Sequence, residues 1–200
     1  TIFGINEDGS LFEFNPTALP IGMLVSELRA ATSSTEDEIR YLVGWSASGD
    51  GGGGLFRWSN TAAVDDDGTI LNAGGFGSNS AGWRRIYSGA QSAKWFGAKG
   101  DGQRATASIT SGNAFFTLSG LTSADIGKRF TFREAGVAGA ELTGTITNVV
   151  GTTITLSVAA STTSTSKEFC WATDDTTALT RALAAATTAA TSVLHIPRGI

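Results

Sequence analysis

The chain has 200 residues, enough for one to three small domains with hydrophobic cores of their own. Fourteen basic against 18 acidic residues give a net charge of −4, and no basic run exceeds Arg84-Arg85, so no phosphate-tracking stripe exists and nucleic acid is excluded as an expected partner. The single Cys170 excludes an internal disulfide and an all-cysteine metal cluster, and no apolar run approaches the ~20 residues that cross a bilayer, so no membrane insertion is expected.

At the start, Asp8-Gly9-Ser10 reads as a turn between two short apolar stretches, followed by a Pro-containing connection from Asn15 to Pro20. Thr1-Ile2-Phe3 has neither the basic region nor the apolar stretch of a signal peptide. The missing initiator Met and the stop at Ile200, just after a strand pattern, are expected of a fragment or a processed product. Ser26 followed by Glu27, Leu28, Arg29 and Ala30 predicts a capped single helical turn. Ile39 to Val43 alternates as a strand. The glycine-rich run Gly49 to Gly54 turns the chain into a second strand, Leu55 to Trp58. Asp65-Asp66-Asp67-Gly68 turns it again before Thr69-Ile70-Leu71, and Gly82 to Tyr87 is a strand with aromatic anchors.

From Gln103 to about Thr173 the composition shifts to Thr, Ser, Ala and Gly. Four strands are predicted there: Ala114 to Leu118, Arg129 to Phe132, Leu142 to Val150 and Thr153 to Leu156. Their even spacing predicts a small sandwich or barrel. A long helix follows, with Asp174 or Asp175 as N-cap and Leu179, Ala182, Leu183, Ala186 and Ala190 on one face. Val193 to Ile196 is then a strand closed by Pro197 and Gly199. The chain is therefore expected to be mainly β.

Chemistry-bearing residues are sparse. A glycosidase needs two carboxylates ~5–9.5 Å apart, and Asp174-Asp175, the one candidate near the helix, is better explained by helix capping. Asp65-Asp66-Asp67-Gly68 resembles half a calcium loop but lacks the downstream Glu, so a turn is the preferred reading and no metal is expected. Gly49, Gly51 and Gly54 match a dinucleotide fingerprint formally, yet they open onto a strand and not a helix, and no cofactor is expected. His195 is the only histidine, in an alternating strand, and is read as a packed or edge-facing residue. Cys170 reads as a small buried hydrophobe. No catalytic residue is assigned. Most of Trp45, Trp58, Trp83, Trp95 and Trp171 are read as core or interface anchors. The residues most suited to meet a sugar are Trp171 and Phe115.

Three blocks carry a family resemblance. The first runs from Val43-Gly44-Trp45 through the glycine-rich turn to Trp58; the second joins Gly82 to Ile86 with Lys94-Trp95-Phe96-Gly97-Ala98-Lys99-Gly100-Asp101-Gly102. The third combines Asp174 to Leu179 with Leu194 to Gly199. Together they resemble bacteriophage tailspikes whose bodies are right-handed parallel β-helices of the pectate-lyase type. The resemblance implies an N-terminal hairpin and attachment segment (1–30), a β-rich N-terminal tailspike domain (31–102), and a capping helix with the start of the β-helix (174–200). In the family the Gly-Asp-Gly and Asp-Asp-Thr elements lie a few residues apart. Here about 70 residues separate them, which marks 103–173 as an inserted small β module, similar to modules in other tailspikes through Ser123 to Lys128. The expected role is virion attachment and homotrimerisation, with a phage tail or baseplate protein as partner. The parent protein would contact host capsule or lipopolysaccharide glycan as a polysaccharide depolymerase, hydrolase or lyase, with its active carboxylates beyond Ile200. Two alternatives are a carbohydrate-binding role for 103–173 and a cellular pectate-lyase-like enzyme.

Overall fold

A computed structural model describes residues 2–5, 11–14, 22–188 and 193–196. The Gly9 turn, the Asn15 to Pro20 connection, Ala190, Pro197 and Gly199 lie outside the described residues. The chain divides into two compact units, one from residues 1–98 with 176–197 and one built on residues 99–175.

In the first unit β1 (Ile2–Ile5) and β2 (Leu11–Phe14) pair antiparallel, the hairpin expected from the two apolar stretches. The larger sheet contains β3 (Met23–Leu24), β4 (Ile39–Gly44), β5 (Gly54–Val64), β6 (Ile70–Leu71) and β7 (Asn79–Arg85), in the order β3-β4-β5-β7-β6. All its pairings are antiparallel except that of β3 with β4. Period-2 alternation in β4 and β5 sends Leu42, Phe56 and Trp58 inward. They join Leu71, Trp83 and two residues of α1 (Val25–Ala30), Val25 and Leu28, which lie three apart on one helix face. Trp58 and Trp83 meet edge to face at 5.2 Å, and the Trp83 indole N–H donates to the Ala31 carbonyl at 2.7 Å, closing the helix end. The expected cap is corrected: the helix starts one residue before Ser26. The exposed Leu24 N–H is accepted by the Glu27 carboxylate at 2.7 Å, so the acidic residue of the first turn does the capping.

A second small core follows β8 (Gln91–Ser92). Residues Ala93–Phe96 form a 3-10 helix that ends at Gly97, whose φ of 92° is open to glycine at little cost. Ala93, Phe96 and Ala98 pack against Ala182 of α2 (Thr176–Thr188), with Ala178, Leu179 and Ala185 beside them. The buried stripe is thus narrower than expected and turned: Ala182 and Ala186 are inside, whereas Leu183 is 58% exposed. Small alanines let the helix approach the 3-10 turn closely, and that approach leaves Leu183 on the far side. β15 (Leu194–His195) pairs parallel with β8. No coil of a β-helix is present among the described residues.

In the second unit six strands form one antiparallel sheet: β9 (Gln103–Ile109), β10 (Phe115–Thr117), β11 (Arg129–Phe132), β12 (Leu142–Val150), β13 (Thr153–Leu156) and β14 (Ser164–Ala172), in the order β10-β13-β12-β11-β14-β9. The outermost strands, β10 and β9, come into contact, so the sheet curls into a nearly closed barrel that leaves little free edge. β11, β12 and β13 coincide with three of the predicted strands, and β10 is a shortened form of the one predicted from Ala114 to Leu118. β9 and β14 were not predicted. β9 turns only Ala105, Ala107 and Ile109 inward, and the first half of β14 is polar, so neither carries a strong apolar alternation. Phe169 of β14 is the hub of the interior. It is fully buried and lies within 6 Å, ring to ring, of Phe116, Phe130, Phe132 and Trp171. Phe169→Ala should therefore lower the unfolding free energy by about 3–5 kcal/mol in urea denaturation, the cost of a large aromatic cavity in a close-packed core.

Candidate functional site

The segment Lys99-Gly100-Asp101 meets Thr173 and Asp175 inside the second unit. The Asp175 carboxylate accepts the backbone N–H of Lys99 at 2.8 Å and of Gly100 at 2.7 Å. Asp101 reciprocates, accepting the Thr173 N–H at 2.8 Å and its hydroxyl at 3.0 Å. Lys128 then bridges Asp101 at 2.7 Å and Asp125 at 3.0 Å. Asp125 ends a 3-10 helix, Ser123–Asp125, and also accepts the Thr122 N–H at 2.8 Å and the Trp171 indole N–H at 3.2 Å. Burial raises the Asp101 and Asp125 carboxyls, but the Lys128 ammonium and the N–H and O–H donors outweigh it, leaving both below the ordinary carboxylate value. Burial likewise opposes the Lys128 charge, and its two carboxylates overcome it and raise the ammonium. Every group in this cluster is occupied by another, the arrangement of a clasp.

Immediately beyond the clasp the outer face of the barrel is concave. A hollow of about 680 Å³ is floored by small side chains, Thr131, Thr143, Cys170 and Ala172, and flanked by Arg104 and Arg129. Register sets this geometry: Arg104 lies opposite Cys170 on β14, while Arg129 of β11 lies opposite Ala172, two residues further along. Strand spacing then puts the two arginine backbones roughly 12 Å apart. Both guanidiniums are largely exposed and loosely engaged, Arg104 with Glu168 at 3.8 Å and Arg129 with Asp174 at 3.4 Å. Such exposed pairs contribute little to stability and exchange partners readily. The site can hold an elongated ligand bearing anionic groups.

Trp171 lines this hollow but is 8% exposed, its ring stacked on Phe169, so it supports the wall from within. Phe115 is 54% exposed on β10 and borders a different hollow, so these two residues are not brought together. Cys170 is half-buried, not the fully buried hydrophobe expected, because β14 turns Phe169 and Trp171 inward and leaves it on the outer face. Burial, with help from the Glu168 carboxylate, pushes its thiol up, away from the reactive thiolate. His195 is exposed on β15, opposite Ser92. Trp58 and Trp83 are core residues, and Trp45 and Trp95 are half-buried.

The acidic turn of the first unit is more than a turn. Asp65 and Asp67 are buried, and Arg29 grips both, Asp65 at 2.5 Å and Asp67 at 2.6 Å, while Arg181 of α2 holds Asp67 from another side. Asp66 accepts the N–H groups of Gly68, Thr69 and Ile70 at 2.7–2.9 Å. The glycine-rich turn is organised the same way, with Asp50 accepting from Trp45, Ser46, Ala47 and Gly52 at 2.8–3.0 Å. A carboxylate therefore occupies the donors that a nucleotide phosphate would require. Sequence periodicity could not reveal the cluster of Arg29, Asp65, Asp67 and Arg181, because its bonded partners lie up to 114 residues apart. Among the described residues no group of three or more His, Cys, Asp or Glu side chains is placed to hold a metal ion, and no helix is long and apolar enough to cross a membrane.

The clasp has a defined pH window. The lowered Asp101 and Asp125 contribute stability that is present above the unfolded value of ~3.9 and is lost as pH falls through their lower folded values. The raised Lys128 contributes stability that is fully present below ~10.4 and is lost as pH rises through its folded value. The melting temperature should thus hold a plateau between those limits, and Lys128→Met should lower stability by about 1–3 kcal/mol and flatten the acid limb of the profile.

Residues 24–88 match the family described as "Phage tail protein small four-stranded beta-sheet domain". That stretch takes in α1 and the four strands β4, β5, β6 and β7. No curated protein shows significant similarity to the chain. Residues 24–88 are thus similar to a phage-tail β domain, and this similarity supports a place in the virion tail.

Proposed function

We propose that the chain is the virion-attachment and trimerisation region of a phage tailspike whose body, a right-handed parallel β-helix, recognises host surface polysaccharide. The phage-tail match over residues 24–88 carries the reading. Two features support the finer part. The parallel pairing of β15 with β8 is what the first rung of a parallel coil needs. Leu183, Val193 and Ile196 are exposed apolar residues on and after α2, suited to be covered by such a coil. In this reading α2 caps the coil and residues 24–88 join the tail. Light scattering on the eluted chain should give the mass of a homotrimer at micromolar concentration; a monomer would count against trimerisation through this region. Incubation with host polysaccharide should release no oligosaccharide, because depolymerase chemistry is assigned to other parts of the parent protein.

A second reading gives the barrel a carbohydrate-binding role, favoured by the hollow between Arg104 and Arg129. Acidic capsule or lipopolysaccharide oligosaccharides would exchange their carboxylates for Glu168 and Asp174. Calorimetry with such oligosaccharides should show binding that weakens about tenfold or more in Arg104→Ala/Arg129→Ala, as the loss of charge-assisted hydrogen bonds predicts. Equal binding by the variant would leave the barrel a spacer.

A further inference from the structure

The alternation that packs Leu42, Phe56 and Trp58 toward α1 turns Ile39, Tyr41, Leu55 and Arg57 to the opposite face of the same sheet. Register builds two rows there across three strands. Tyr41 stands opposite Leu55, whose carbonyl accepts the Ile86 N–H at 2.8 Å, and the three are 44–46% exposed. In the neighbouring row Ile39 stands opposite Arg57, and Arg57 opposite Arg84. A sheet face that met only water would carry polar residues, so a contiguous apolar row marks a contact surface. Like charges on neighbouring strands are unfavourable until acids meet them. Arg57 has Asp37 at 3.0 Å in an exposed pair. The Arg84 guanidinium donates to the carbonyls of Thr61, Ser80 and Trp83 and, among the described residues, bridges no carboxylate. The face calls for an apolar segment that carries acids and no base.

The chain itself supplies such a segment. Among the described residues β1 and β2 pair only with each other. Six of their eight residues are apolar, the others being Gly4 and Glu13. The adjacent apolar pairs Ile2-Phe3 and Leu11-Phe12 place apolar residues on both faces of this ribbon. Residues 1–21 hold the acids Glu7, Asp8 and Glu13 and no Lys, Arg or His. A two-stranded ribbon is marginally stable by itself and gains from being covered. The sheet face is exposed in the single chain with its own ribbon present, so a ribbon that covers it comes from another copy.

We propose that the β1-β2 ribbon of one copy lies on the Tyr41-Leu55-Ile86 row and the Arg57-Arg84 pair of a second copy. This deepens the trimerisation reading and rests on it. A ring of three needs a head-to-tail contact between two different surfaces, because a self-matching patch closes at two. Ribbon and sheet face form such a pair.

The experiment is complementation between two variants of the whole chain, read by light scattering at micromolar concentration. Leu55→Asp spoils the sheet face and leaves the ribbon, whereas Phe12→Asp/Phe14→Asp spoils the ribbon and leaves the face. Each variant alone should associate about a hundredfold or more weakly, because a charge would be buried without a partner. Mixed in equal amounts, the two should form a species of two chains and none larger, since only one ribbon and one face remain to meet. Near-ultraviolet circular dichroism from the Trp58–Trp83 pair reports folding, and Tyr41→Asp takes the place of Leu55→Asp should that variant not fold. A trimer that survives either variant would sink the ribbon contact and leave the trimerisation reading standing. Variants that stay monomeric when mixed would also overturn the contact. A dimer of the unaltered chain would mean a self-matching face and refute it, and a monomer would end both readings.

Discussion

A chain that leaves one compact unit at residue 98 and resumes it at 176 must bring residues 99 and 175 together. Asp101 and Asp175 meet that constraint with carboxylates that accept backbone N–H groups across the gap, 2.7–2.8 Å away. Carboxylate acceptors form stronger hydrogen bonds than neutral ones, and four such bonds fasten the point where β9 begins and β14 ends. Lys128 sits over Asp101 and ties the clasp to Asp125 and so to Trp171.

The first unit obeys a similar rule with the signs reversed. Arg85 is buried, and its guanidinium donates to the carbonyls of Gly52, Gly53 and Gly68 at 2.7–3.0 Å while lying between the rings of Phe56 and Trp95. Burial pulls it down to about 10, so it remains charged at neutral pH. One side chain thereby fixes both glycine-bearing turns against β7 and the 3-10 helix. Gly68 has no freedom to change, since a Cβ there would fall 2.4 Å from the Phe96 ring. In both units buried charge is matched by groups fixed in place, which stabilises one arrangement over its competitors.

Function follows from what these ties leave open. Carboxylates already hold the donors of the glycine-rich turn, and arginines the buried acids of the acidic turn, so neither presents an unoccupied ion site. The open feature is a groove flanked by two loosely paired arginines on the barrel.

Much was legible in the sequence because it depends on near neighbours. Alternation identified β4, β5, β11, β12 and β13, glycine and aspartate marked the turns, and the composition shift at Gln103 drew attention to a β-rich stretch. The residue blocks from Val43 to Trp58 and from Gly82 to Ile86 pointed to a phage tail, and the family match over 24–88 agrees. Tertiary structure alone decided the rest. It made Asp101 a clasp residue, placed Asp65 and Asp67 between Arg29 and Arg181, turned Leu183 outward and Trp171 inward, and recruited the weakly patterned β9 and β14. Each of these depends on residues far apart in the chain, where neither spacing nor propensity carries information and only the closing of the core selects a partner.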